Sequence, residues 1–148
     1  MVDFKKDSWF YALIAAIIAM IGILIPWNFY DAGGGITFYN WLGGLIQYGS
    51  GGGYDKWVGF NGLSIWTLGL SIFSIALLLF YSINTWKGKQ FKWDWLMYIL
   101  TGISLFISPI LTLTLEGNEE AFPLGAIFII IAGAISIMAF AVDKFTGR

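Results

Sequence analysis

The sequence contains no cysteine and no histidine. No disulfide can staple a loop, and neither thiolate nor imidazole is available to hold zinc or haem. The side chain that usually switches near neutral pH is missing too. Charge is also scarce. Charged residues make up 11% of the 148 residues, against about 25% in ordinary soluble domains. The net charge of −1 comes without a basic stripe, so nucleic acid is not an expected partner.

Apolar residues fill the space that charge leaves. They form 58% of the chain, and the mean hydropathy is +0.76. A soluble fold has too few charges here to cover so much apolar surface, so lipid is the expected solvent. Four uncharged runs stand out, at residues 9–26, 63–83, 95–115 and 124–142. Each is about 18–21 residues, or roughly 27–32 Å of helix, the thickness of a bilayer's hydrocarbon core. The expected fold is an all-α membrane protein, a four-transmembrane-helix bundle forming one integral membrane domain over 1–148. The first run is long, is flanked by Trp9 and Trp27, and shows no small-residue cleavage site. It therefore reads as a span rather than a leader.

Lysine and arginine set the expected orientation. Lys5, Lys6, Lys87, Lys89, Lys92, Lys144 and Arg148 fall on one side, and only Lys56 on the other. Both termini and the loop 84–94 are expected in the cytoplasm of a multi-pass cell-membrane protein. The loops 27–62 and 116–123 then face outward. Small residues mark where helices meet. Ala12, Ala15, Ala19 and Gly22 line one face of the first run, and Gly125, Ala132, Ser136 and Ala139 one face of the fourth. Such stripes let backbones approach, within one bundle or between copies. Pro109 is expected to kink the third helix. The hydroxyls of Thr67, Ser71, Ser74, Thr101, Ser104, Ser108 and Thr112 suit bonds between helices. No ionisable residue lies inside the four runs, which argues against pumps and ion-coupled carriers.

The loop 27–62 is too long for a plain connector. Residues 27–60 hold ten aromatics in 34 positions, which disordered segments lack. Glycine-punctuated segments predict strands at 27–31, 36–42, 45–48 and 54–60, with turns at 33–35 and 49–53. The expectation is a small extracellular antiparallel sheet. Trp27, Phe38, Tyr39, Trp41, Tyr48, Tyr54 and Trp57 are its candidate interaction surface. The glycine triplets 33–35 and 51–53 lack the Lys-Ser/Thr ending of a phosphate loop, so no cofactor is expected. Asp31, Asp55, Glu116, Glu119 and Glu120 offer oxygens for, at most, a weak divalent cation, and solvated acids are the preferred reading. Between the second and third runs, WKGKQFKWDW alternates lysines with aromatics. It reads as a positive anchor with some capacity for anionic headgroups.

Pro26-Trp27 just after the first run, and Trp41-Leu42-Gly43-Gly44-Leu45 further on, resemble the first outer loop of claudins and the peripheral myelin protein. Ile46 stands where that group has tryptophan, and its two loop cysteines are absent. The resemblance implies a non-enzymatic tetraspan protein that associates laterally and meets partners through the first loop's sheet. The expected partners are membrane lipids and either copies of itself or other membrane proteins. An accessory subunit of a larger complex comes second. A channel for a neutral solute and a membrane enzyme follow.

Overall fold

The structure is a computed structural model that describes residues 3, 7–26, 28–41, 44–49, 56–60, 62–89, 91–115 and 124–145. Side chains at 28–33, 38–40, 45, 56–58, 60, 63, 64, 113 and 115 are not described. The chain is mostly helical, with a small antiparallel sheet between the first helix and the second. The helices are α1 (Ser8–Leu24), α2 (Gly62–Trp86), α3 (Asp94–Leu115) and α4 (Leu124–Phe145). The strands are β1 (Asn28–Gly33), β2 (Ile36–Trp41), β3 (Gly44–Gly49) and β4 (Lys56–Phe60). Helices α2, α3 and α4 are each long and apolar enough to cross a membrane. Helix α1 is apolar and shorter, at 17 residues.

Each helix packs mainly on two neighbours, in the closed order α1-α2-α3-α4. Sequential helices are antiparallel. Ser82 near the end of α2 meets Trp9 at the start of α1, and Thr67 meets Thr112 across α2 and α3. The α1–α4 pair is antiparallel as well, since Ser8 meets Asp143 at one end and Gly22 meets Gly125 at the other.

Close approach explains the small-residue stripes. Ala12, Ala15, Ala19 and Gly22 of α1 are buried, as are Gly125, Ala132, Ser136 and Ala139 of α4. A Cβ built on Gly125 would lie 2.7 Å from the Gly22 carbonyl oxygen and 2.8 Å from that of Pro26. One on Gly133 would lie 2.7 Å from the Phe106 nitrogen and 2.8 Å from the Gly102 oxygen. Helix α4 thus touches two backbones, α1 and α3, through its glycines. The described stripe residues are occupied inside the bundle.

Helices run further toward the lysine-rich end than the uncharged runs do. Helix α2 continues to Trp86, and α4 continues past Val142 to Phe145. Asp143 and Lys144 are therefore helical. Helix α3 runs unbroken through Pro109, which is buried.

The sheet is a meander in the order β1-β2-β3-β4. Gly34 and Gly35 join β1 to β2 with φ of 65° and 79°. Positive φ at both central residues is what a tight type I′ hairpin needs, and glycine supplies it without strain. Register shifts interrupt β1 between Asp31 and Gly33, and β3 between Leu45 and Ile46.

Candidate functional site

Two regions concentrate chemistry: the sheet with its seat on the bundle, and the polar positions inside the bundle. The seat is built from backbone groups that helix ends leave unmatched. The Trp41 indole N–H donates to the carbonyl of Leu24, the last residue of α1, at 3.1 Å. The N–H of Gly125, in the first turn of α4, donates to the Pro26 carbonyl at 3.0 Å. Both bonds tie the exit of α1 to what lies above it. In the pleat, Thr37, Trp41, Ile46 and Tyr48 share one face, because Trp41 pairs with Gly44 and Thr37 with Tyr48. Ile46 on that face is 8% exposed. Tyr48, further from α1 along the ladder, is 46% exposed.

The candidate surface residues therefore divide. Trp41 is half-buried and anchors the sheet to α1. Tyr48 is open to contact. Phe38, Tyr39 and Trp57 occupy strand positions in register with Gln47, Ile46 and again Ile46. Trp27 and Tyr54 lie outside the described residues, as do Asp55, Glu116, Glu119 and Glu120. Among the described residues no cluster of three carboxylates is placed to hold a metal.

Inside the bundle, hydroxyls form a seam between α2, α3 and α4. Thr67 and Thr112 bond each other at the sheet end. The Thr101 hydroxyl donates to the Met97 carbonyl at 2.7 Å and lies 3.1 Å from Ser136 Oγ, which donates to the Tyr98 carbonyl. Ser71 and Ser108 hydroxyls are buried with no hydrogen-bond partner among the described residues. Leu78 and Leu105, at 1% and 0% exposed, belong to the same buried core.

At the lysine-rich end the seam leads to two buried acids. Asp94 is 1% exposed and accepts the Phe91 N–H at 3.0 Å. Asp143 is 8% exposed and accepts the Ser8 hydroxyl at 3.4 Å. Tyr98, wholly buried, shares a hydrogen bond with Thr85. No protein-family model matches the chain, and no curated protein does.

The uncharged runs stop short of both acids, leaving Asp94 in the loop 84–94 and Asp143 in the tail that follows the fourth run. The signal that finds them is the helical stripe extended by one turn. Ser8 precedes Ala12, Ala15 and Ala19 at the same spacing, and Asp143 follows Ala132, Ser136 and Ala139. Asp94 likewise begins the row Tyr98, Thr101, Leu105, Ser108 and Thr112. Residues four or three apart share a helix face, so each acid falls on its helix's buried side.

A groove of about 460 Å³ opens between α2 and α3. Leu70, Phe73 and Leu77 line it from α2, and Met97 and Leu100 from α3. Ser74 and Thr101, both almost fully buried, lie in its floor.

Proposed function

We propose that the chain is a non-enzymatic four-span membrane protein that associates, with copies of itself or with another membrane protein, through the sheet at one end of its bundle. The observation that carries this is the seating of the sheet. Trp41 and the Gly125–Pro26 bond hold an aromatic, four-stranded meander on the helix ends. Its outermost strands, β1 and β4, have one paired neighbour each among the described residues, and edge strands template pairing with another chain. Tyr48 adds an exposed aromatic of the kind that dominates interface hot spots.

The fourth span is α1. It packs along α4 from Ser8–Asp143 to Gly22–Gly125. It therefore shares the depth of a helix that is itself long enough to cross. The lysine distribution supports both termini in the cytoplasm and the sheet outside. A first-loop sheet ahead of the second helix agrees with the likeness to claudins. The bonds of Thr67 to Thr112 and of Thr101 to Ser136 account for those hydroxyls as contacts between helices, without a solute path.

The test is purification in mild detergent followed by mass measurement and cross-linking. Assemblies of the 16.5 kDa chain, or a stoichiometric partner, are expected. A Tyr48→Lys variant should shift the population toward monomer. A protein that stays monomeric and uncross-linked, in detergent and in vesicles, would overturn the proposal.

A further inference from the structure

We propose that the groove between α2 and α3 takes one acyl chain of an anionic phospholipid, whose phosphate the lysines of the α2–α3 loop hold. The inference rests on the helices lying in lipid and not on the role of the sheet. The groove is walled mainly by aliphatic and aromatic side chains, with Ser74, Thr101 and Ser104 the hydroxyl residues among them. The Thr101 hydroxyl in its floor is already engaged by Met97 and Ser136, so it offers little to a polar solute.

Length selects the occupant. The groove runs from Leu70 to Tyr81 on α2, about 16 Å at the helix rise, and begins about 7.5 Å from the end of α2. A partner transmembrane helix would need a seat nearer the roughly 30 Å of the whole hydrocarbon core. An acyl chain anchored at the lysine-rich surface spans the observed depth.

The mouth is built and charged. Tyr81 lines the groove, and Phe91 of the loop folds back to 5.7 Å from its ring and 6.0 Å from that of Phe80. The loop's path is fixed at its start. Gly88, at φ 80°, donates to the Thr85 carbonyl, and Lys89 donates to that of Asn84. This pair of bonds is the Schellman helix stop. Lys87, Lys89 and Lys92 are all exposed beside this mouth. The acid in the same stretch, Asp94, is 1% exposed and accepts the Phe91 N–H, whereas the lysines face solvent. Charge complementarity therefore points to a phosphate-bearing headgroup. At about fivefold per lysine near a membrane surface, three lysines give an upper limit of roughly a hundredfold.

The experiment titrates the full chain in mild detergent with dioleoylphosphatidylglycerol and, separately, dioleoylphosphatidylcholine, reading bound lipid by native mass spectrometry. The anionic lipid should bind about ten- to a hundredfold tighter. Combined Lys87→Gln, Lys89→Gln and Lys92→Gln should abolish that preference. Lys144→Gln should preserve it, because Lys144 sits over Trp95, 4.4 Å from the ring, away from the groove. Ser104 and Leu100 both line the groove from α3, so Ser104→Phe, and independently Leu100→Trp, should weaken both lipids by filling it. Equal binding of the two lipids, a preference that survives the triple variant, or an equal loss in Lys144→Gln would overturn the proposal. So would unchanged binding in both groove-filling variants.

Discussion

Replacing Trp41 by alanine should loosen the sheet while leaving the helices in place. The indole contributes twice. Its N–H satisfies the Leu24 carbonyl, an orphan acceptor at the end of α1, and such a bond is worth about 1 kcal/mol net. Its ring is half-buried. A tryptophan buries at most about 150–250 Å², so removing about 80 Å² of contact at about 25 cal/mol per Å² costs about 2 kcal/mol. The sum is about 3 kcal/mol, or roughly a hundredfold in an opening equilibrium. A small sheet has little stability of its own, so that loss falls on local opening rather than on global unfolding.

Hydrogen exchange reads this directly. Amides of the β2–β3 ladder, where Tyr39 pairs with Ile46, should lose about two orders of magnitude of protection by the same conversion. Amides in the middle of α3 and α4 should keep theirs. Trp41→Phe keeps most of the ring and loses the donor, so its loss should be about fivefold. Unchanged ladder protection in Trp41→Ala would refute the anchoring argument. Equal losses in the two variants would show that ring burial contributes nothing.

Gly125→Ala should destabilise the bundle by about 1–3 kcal/mol, because its Cβ meets backbone that cannot rotate away; thermal unfolding in detergent checks this. Gly22→Ala should be milder, since its nearest obstacle at 2.7 Å is the Ile129 side chain, and the opposite ranking would contradict the packing. Ser8→Ala removes a donor from buried Asp143 and should cost about 1 kcal/mol, with Ser8→Thr restoring part of it in the same melts. For orientation, a cysteine at Ser50 in intact cells should react with an impermeant maleimide and one at Lys89 should not; the reverse pattern would invert the topology.

What could be read from the residues depended on whether the controlling force was local. The hairpin at Gly34-Gly35 was legible because positive φ is a demand on single residues that glycine answers. Strand ends beside glycine were not, since Gly33 and Gly49, expected in turns, close β1 and β3 as strand residues, and Gly44 opens β3 one residue early. The apolar middles of α2, α3 and α4 were legible because hydrocarbon selects composition over a whole window. The helix ends were not. A hydropathy window stops at the first charge, whereas a helix stops where its hydrogen bonds do. Helix α4 therefore carries Asp143 directly after the apolar run, and α3 opens on Asp94.

That difference changes what the bundle is. Uncharged runs alone describe rods that slide in lipid with only packing to fix their register. The buried Ser8–Asp143 bond sits at one end of those rods, and Trp41–Leu24 and Gly125–Pro26 at the other. Between them the Gly22–Gly125 and Gly102–Gly133 approaches leave no room for an offset of one residue. A shift of α4 along α1 by one turn would take Gly125 from its glycine partner and Asp143 from its hydroxyl together. Steric fit and polar satisfaction thus select the same register, and a sheet resting on the exits of α1 and the start of α4 inherits a fixed platform from it.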